Sequence, residues 1–197
     1  MTIWQDALLA TLLGYALGSI PFGLLLARAA GKGDIRRIGS GNIGATNVLR
    51  SGSKGLAAGT LLFDIGKGLL PVLLAWRWFP DAVTFAAAGA VFGHCFPVWL
   101  RFRGGKGVAT MAGVCFGLAW PIGLAYALVW LGVLAAARIS SLAGMSAVAG
   151  TVIAAAATGN WVFVPLLAGL ALLVIWLHRA NIRRLANGTE PRIGRKP

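Results

Sequence analysis

Acidic side chains are almost missing: Asp and Glu together number five among 197 residues, against 18 Lys and Arg. Charged residues make up 12% and hydrophobic ones 58%, which is too little polar surface to solvate a water-soluble domain of this length. The bilayer is the expected solvent. Cysteine is equally sparse. Cys95 and Cys115 each sit inside an apolar segment without paired-Cys spacing, so they read as small buried hydrophobes and exclude a disulfide framework. His94 and His178 share no metal-ligand spacing with the cysteines or carboxylates, so no metal and no other cofactor is expected.

Glycine and positive charge are in excess, with 28 Gly and a net charge of +13. Such an excess often marks nucleic-acid binding. Here the basic residues lie between apolar segments rather than on a polar surface, which indicates cytoplasmic loops and no nucleic-acid partner.

A spanning helix needs about 20 mainly apolar residues. Seven segments qualify as candidates, at about 4–30, 55–79, 83–100, 108–119, 122–137, 142–158 and 161–177. The first carries Asp6 and lacks a basic leading region, so it reads as a membrane helix rather than a signal peptide. The stretch 108–137 is either one tilted helix or two broken near Trp120-Pro121, and charge decides between them. With two helices, 16 of the 18 basic residues fall on one side, and the opposite connections near Phe79-Pro80-Asp81, Trp120-Pro121 and Thr158-Gly159-Asn160 carry none. One helix would put Arg138 and the C-terminal basic cluster outside, against the positive-inside rule. The expected fold is therefore an all-α integral membrane protein of seven transmembrane helices, N-terminus outside and C-terminus cytoplasmic. It forms a single polytopic domain over 1–197, with cytoplasmic loops at about 31–54, 101–107 and 138–141 and a cytoplasmic segment at 178–197.

Three Gly-rich or basic stretches share the cytoplasmic side. The first contains Gly39-Ser40-Gly41-Asn42-Ile43-Gly44, a formal match to the dinucleotide fingerprint that fails for want of a preceding strand. Its physical content survives. Successive glycines turn backbone N–H groups toward an anion, Ser40, Thr46 and Asn47 add donors and Arg50 adds a charged fork. The loop reads equally well as a tight solvated turn. The second stretch, Gly104-Gly105-Lys106-Gly107, resembles part of a P-loop but has Leu100 at the leading glycine and Gly107 at the magnesium ligand, so nucleotide hydrolysis is not expected. A lysine flanked by glycines where a helix starts still offers a point charge, backbone amides and the positive end of the helix dipole.

In the third stretch His178 and Asn181 lie at i and i+3 on one helix face. His178 is a base, a phosphate ligand or an interface residue on this reading, while His94 reads as a structural hydrogen-bonding group. Within the membrane, Asp64 and Lys67 are three apart and able to pair, either as part of a site or as packing that orients the loops.

At these residues the chain resembles the bacterial acyl-phosphate:glycerol-3-phosphate acyltransferases, the PlsY-type family, over essentially its whole length. The resemblance is carried by Gly39 to Asn47, by His94, Phe96-Pro97 and Gly104 to Thr110, and by His178, Asn181, Ile182, Arg184, Leu185, Gly188 and Glu190. Ser141, in the loop Arg138-Ile139-Ser140-Ser141, is placed near the site by the same resemblance. It implies acyl transfer from acyl phosphate to the 1-hydroxyl of glycerol 3-phosphate, giving lysophosphatidic acid and phosphate, the first acylation of phospholipid synthesis. The implied partners are those two substrates, membrane lipid and the soluble enzyme that makes acyl phosphate, and the implied location is the bacterial inner membrane with the site facing the cytoplasm.

By the same resemblance Ser40, Lys106, His178 and Asn181 are catalytic. Gly41, Asn42, Gly44, Thr46, Asn47, Arg50, Gly104, Gly105, Gly107 and Ser141 bind substrate or phosphate, and Asp64, Lys67 and His94 support them. An acyl phosphate is already an activated anhydride, so a chain this poor in acid–base groups suffices if it positions substrates and stabilises charge. The hydroxyl proton goes to His178 or to a donor phosphate oxygen, and the phosphate is favoured. Acyltransferases with a His-x-x-x-x-Asp pair are not a close match, since Trp99 and Arg183 stand five residues after His94 and His178. The alternative is an anion or phosphate-ester transporter, which would be expected to show inverted repeats and broken midplane helices.

Overall fold

The structure, a computed structural model, describes residues 2–194; Arg195 and Lys196, part of the C-terminal basic cluster, lie outside them. The described residues form ten α-helices and four short 3-10 turns, arranged as two units, Met1–Leu118 and Ala119–Pro197.

In the first unit, α1 (Ile3–Gly18) starts at a capping box in which Thr2 and Gln5 exchange side-chain and backbone bonds. The expected helix over 4–30 is broken at Ser19-Ile20-Pro21, where proline supplies no N–H, and resumes as α2 (Phe22–Ala29). A five-residue α3 (Ala45–Leu49) precedes α4 (Lys54–Trp78), which is capped by Ser53 and runs about 37 Å through Pro71. α5 (Val83–Cys95) and α6 (Val108–Leu118) complete the unit.

The helices of this unit pack through small residues. Gly14 and Gly18 of α1 face the backbone of Ala86 and Ala90, and Gly89 and Gly93 of α5 face the backbone of Thr11 and Tyr15. Two small-xxx-small faces thus meet, and any Cβ at these four positions would collide with main-chain atoms. Gly68 of α4 and Gly113 of α6 bring those two helices together in the same manner. Lipid tails are as apolar as leucine, so such backbone contact, rather than hydrophobic burial, holds the helices together.

In the second unit, α7 (Trp120–Ala137) follows an extended Ala119, so 108–137 holds two helices rather than one. Arg138, at φ 60°, caps α7 in the left-handed conformation and turns the chain into α8 (Ser140–Ala157). α8 packs on α7 and on α9 (Val164–Leu177), burying Ala143, Ala147, Thr151 and Ala155. A 60° bend at His178 leads into α10 (Arg179–Ala186).

Among the described residues, five helical segments are long and apolar enough to cross a membrane: Ile3–Ala29, Lys54–Trp78, Pro80–Leu100, Trp120–Ala137 and Ser140–Ala157. The bent pair Trp161–Leu177 and Arg179–Ala186 makes a sixth when counted as one span. The expected span at 108–119 is the short one: α6 has 11 residues, about 16 Å of helix against a hydrocarbon core of about 30 Å. Length and apolarity therefore support a multi-pass membrane protein with five candidate spans, or six with the bent pair, and α6 as a shorter apolar helix that falls below the length of a full span.

Candidate active site

The first loop is built around Asn47, which is buried at the start of α3. Its Nδ2 donates to Ile35 O at 2.7 Å, and its Oδ1 accepts from the Ser40 N–H at 3.0 Å and more distantly from Ser40 Oγ at 3.3 Å. Asn47 was expected to offer donors to an anion; its amide is instead committed to tying residues 35 and 40 together. Asn42 Oδ1 accepts from the Gly44 N–H at 3.0 Å, which closes an Asx turn. Gly39 has φ +55°, and a Cβ there would strike Asn47 Oδ1 and come within 2.8 Å of Arg50 Cδ, so the Arg50 side chain lies across that glycine. Ser40, Gly41, Thr46 and Arg50 form the exposed edge of the loop.

The second loop returns against the end of α5. The amides of Gly104 and Gly105, expected to face an anion, donate to Cys95 O at 3.1 Å and His94 O at 3.0 Å. These two glycines serve close approach: a Cβ at Gly104 would strike the His94 and Cys95 carbonyls, and one at Gly105 would strike the His94 imidazole. Lys106 follows, half-buried, and Gly107 at φ +84° turns the chain into α6, where the Met111 N–H bonds to Gly107 O at 2.7 Å.

Beneath this loop, the membrane-buried Asp64 and Lys67 make a close charge contact of 2.7 Å between Oδ1 and Nζ. Lys67 Nζ also donates to Ile20 O at 2.7 Å, which satisfies a carbonyl freed by the break before Pro21. His94 Nδ1 stands 3.8 Å from the same Asp64 oxygen, too far for a hydrogen bond. The three residues proposed from sequence as support therefore run from the α1 break to the glycine loop that carries Lys106. Tyr15 contributes a further link that sequence reasoning missed. Its hydroxyl donates to Phe96 O at 2.8 Å and accepts from the Val98 N–H at 3.1 Å, pinning the chain where α5 ends.

In the second unit, His178 is buried and its Nδ1 lies 2.7 Å from Val174 O. A carbonyl only accepts, so Nδ1 carries the proton and Nε2 is the acceptor in the neutral ring. Asn181, one turn on, donates from Nδ2 to Glu190 Oε1 at 2.6 Å. The same oxygen accepts from Ser141 Oγ at 2.6 Å, and Glu190 Oε2 accepts from Arg184 Nε at 2.6 Å.

Glu190 is the hub that sequence reasoning named only as a motif position. Burial would raise its carboxyl pKa, but the bonds from Ser141, Asn181 and Arg184 outweigh that and hold it below the usual glutamate range. Two signals for it were visible: it is the lone carboxylate in a basic C-terminal segment, and Asn181 and Arg184 share a face of α10 at i, i+3. The Gly188 turn, at φ +70°, reverses the chain so that Glu190 meets them, and the Ile193 N–H bonds to Arg138 O at 2.7 Å. Among the described residues no group of three His, Cys, Asp or Glu side chains is placed to hold a metal ion.

The family model for glycerol-3-phosphate acyltransferase matches residues 8–188. Among curated relatives, the glycerol-3-phosphate acyltransferase of Erythrobacter litoralis is 66% identical over 192 residues, covering 98% of each chain. That of Brucella anthropi is 55% identical and covers 95% of this chain and 93% of its own. Among solved structures, the crystal structure of PlsY (YgiH), an integral membrane glycerol 3-phosphate acyltransferase in its glycerol 3-phosphate form, superposes with a TM-score of 0.90 at 38% identity, covering 95% of this chain and 96% of its own. The lysophosphatidic acid form of that protein gives a TM-score of 0.88 at the same identity. On this identity and coverage, the chain belongs to the PlsY-type glycerol-3-phosphate acyltransferase family.

Proposed function

We propose that the chain transfers a fatty acyl group from acyl phosphate to the 1-hydroxyl of glycerol 3-phosphate. The observation that carries this reading is the likeness, along nearly the whole chain, to a solved enzyme in its glycerol 3-phosphate and lysophosphatidic acid forms. In the step proposed, the hydroxyl oxygen attacks the acyl carbonyl, the bond from that carbon to the phosphate oxygen breaks, and phosphate leaves. The hydroxyl proton ends on a phosphate oxygen, so the products are lysophosphatidic acid and inorganic phosphate.

The exposed edge of the first loop, Ser40 with Arg50, is assigned to binding glycerol 3-phosphate. Lys106 is assigned to the negative charge that develops at the reacting carbonyl and the departing phosphate. His178 and Asn181, in the second unit, keep the catalytic role expected of them. The glycine amides at 104 and 105 are left out of anion binding, because α5 carbonyls already engage them.

The chain is proposed to lie in the bacterial inner membrane with its N-terminus outside and its site on the cytoplasmic side. Seven crossings, with α6 as a short one, would gather 16 of its 18 basic residues on one side, and that asymmetry supports the orientation. The test is to mix purified protein with acyl phosphate and glycerol 3-phosphate, without ATP or metal, and to assay lysophosphatidic acid. Product formation is expected. Equal turnover with acyl-CoA free of acyl phosphate would overturn the donor assignment.

A further inference from the structure

Beside the Ser40 loop and the turn that carries Lys106, the first unit holds a cavity of about 390 Å³ lined by Arg28, Arg36, Trp99, Leu100, Arg101 and Arg103. Four arginines line it. One carboxylate answers them: Asp34 pairs with Arg36 at 2.6 Å and with Arg28 at 3.4 Å. The other carboxylates of this unit are elsewhere, Asp6 in the first turn of α1, Asp64 on Lys67 and Asp81 at the turn between α4 and α5. Arg101 and Arg103 have no side-chain partner among the described residues, so the cavity carries an excess of three positive charges.

The backbone aims these cations deliberately. Arg101 and the following Phe102 both adopt left-handed conformations, φ 53° and 60°, which non-glycine residues rarely take. The turn is held by bonds from the Arg101 N–H to Val98 O at 3.0 Å, the Phe102 N–H to Pro97 O at 3.0 Å and the Arg103 N–H to Leu100 O at 3.1 Å. Two consecutive residues kept in a disfavoured region by surrounding bonds point to a positional requirement.

The depth of the cavity identifies its occupant. Two spans, Ile3–Ala29 and Pro80–Leu100, end at it, so it lies where hydrocarbon gives way to headgroups. Its rim is also apolar. Trp99 lines it at 58% exposure with its indole N–H fixed on Ser19 O at 2.8 Å, and Phe102, 60% exposed, stands between the lining residues Arg101 and Arg103 in the chain. A small soluble phosphate ester gains nothing from exposed aromatic rings, whereas a lipid uses both the cations and the rings.

We propose that the Arg28, Arg36, Arg101 and Arg103 cavity binds the phosphate headgroup of an anionic membrane phospholipid, with Trp99 and Phe102 against its upper acyl chain. This inference does not rest on the acyl transfer proposed above. An occupant on Arg103 would sit one residue from Gly104, at the base of the turn that presents Lys106.

The test uses thermal melting of the full chain in neutral detergent, with no turnover measured, so its result is independent of the reaction assigned above. Dioctanoyl phosphatidylglycerol should raise Tm saturably, and dioctanoyl phosphatidylcholine should not. Arg101→Gln/Arg103→Gln should raise the half-saturating concentration about tenfold or more, as expected for two surface cations lost from an anionic lipid. Lys32→Gln, outside the cavity, should leave it unchanged. Should the double variant melt without a cooperative transition, Arg103→Gln alone serves, with a rise of several-fold expected. Equal shifts from the two lipids, or an undiminished shift in the arginine variants, would overturn the proposal. So would a shift of the same size from inorganic phosphate or glycerol 3-phosphate that the arginine variants abolish, since that would make the cavity a soluble-phosphate site.

Discussion

Gly105 and His94 fill each other's missing space: the Gly105 N–H donates to the His94 carbonyl at 3.0 Å, and the His94 imidazole stands where a Gly105 Cβ would be. The neighbouring Gly104 differs, because its Cβ would meet main-chain oxygens of His94 and Cys95. Side chains can be removed and backbones cannot. Gly105→Ala should lower kcat roughly 10- to 100-fold by displacing Lys106, and adding His94→Ala should restore part of that loss. Gly104→Ala should be impaired equally with or without His94→Ala. A kinetic double-mutant cycle checks both, and the absence of rescue at Gly105 would sever the link between His94 and the loop.

Lys106 should matter more to turnover than His178. A fixed cation in a glycine-framed turn stabilises transition-state charge, so Lys106→Ala should lose roughly 10²-fold or more in kcat. If the donor phosphate takes the hydroxyl proton, His178→Ala should lose less and leave the pH profile in place. Should His178→Ala instead abolish turnover and erase an acid limb while Lys106→Ala mainly raises KM, His178 is the general base.

Glu190 should give the second unit an acid-sensitive hinge. Its carboxyl titrates below the ordinary value of 4.5 in the folded protein, so its stabilisation is complete above that value. It is lost as pH falls through the lower, folded value. Melting temperature should therefore drop on acidification below about pH 4.5, and Glu190→Gln should flatten that drop. Glu190→Ala, which strands Ser141, Asn181 and Arg184, should cost about 1–3 kcal/mol at neutral pH. An acid slope unchanged in Glu190→Gln would refute the assignment.

Removing one member of the buried pair should be worse than removing both. Lys67→Met leaves Asp64 charged without its partner and Ile20 O with only the Phe22 N–H, at 3.1 Å, at a cost of about 3–5 kcal/mol. Asp64→Asn/Lys67→Met should recover much of that, the remainder reflecting the Ile20 carbonyl. Detergent-denaturation midpoints of the three proteins decide this, and a double variant no better than Lys67→Met would count against the pairing.

Orientation is tested by cysteine labelling in intact cells, aided by the burial of both native thiols. A cysteine replacing Trp120 should react from outside, and one replacing Arg138 should not. The reverse pattern would invert the topology.

The helices were legible because apolar runs and punctuation by Pro and Gly act locally. Trp120-Pro121 marked a real break, and Asp64 with Lys67 was readable as an i, i+3 pair. The break at Ser19-Ile20-Pro21 was hidden inside an unbroken apolar run, because hydropathy registers solvent preference and not backbone continuity. At the site, residue types identified the loops but not their bonding. Nothing in the order Gly104-Gly105 shows that α5 carbonyls engage both amides, and nothing near Glu190 in the sequence shows Ser141 returning from 49 positions away. Those contacts are fixed by tertiary packing, which single residues do not encode.

The meeting of glycine faces on α1 and α5 also sets an order of events during synthesis. α1 enters the membrane early, yet the surface it fits lies on α5, after α2, α3 and α4 have been made. Throughout that interval the ribosome holds a chain whose first helix shows lipid a notched, unmatched flank. A pause before Cys95 would prolong this exposure, and membrane surveillance proteases that sense unpaired helices would have their longest opportunity there. A methyl group at Gly14 or Gly89 would make that transient condition permanent, so such variants should be depleted from the membrane before any deficit in catalysis could be observed.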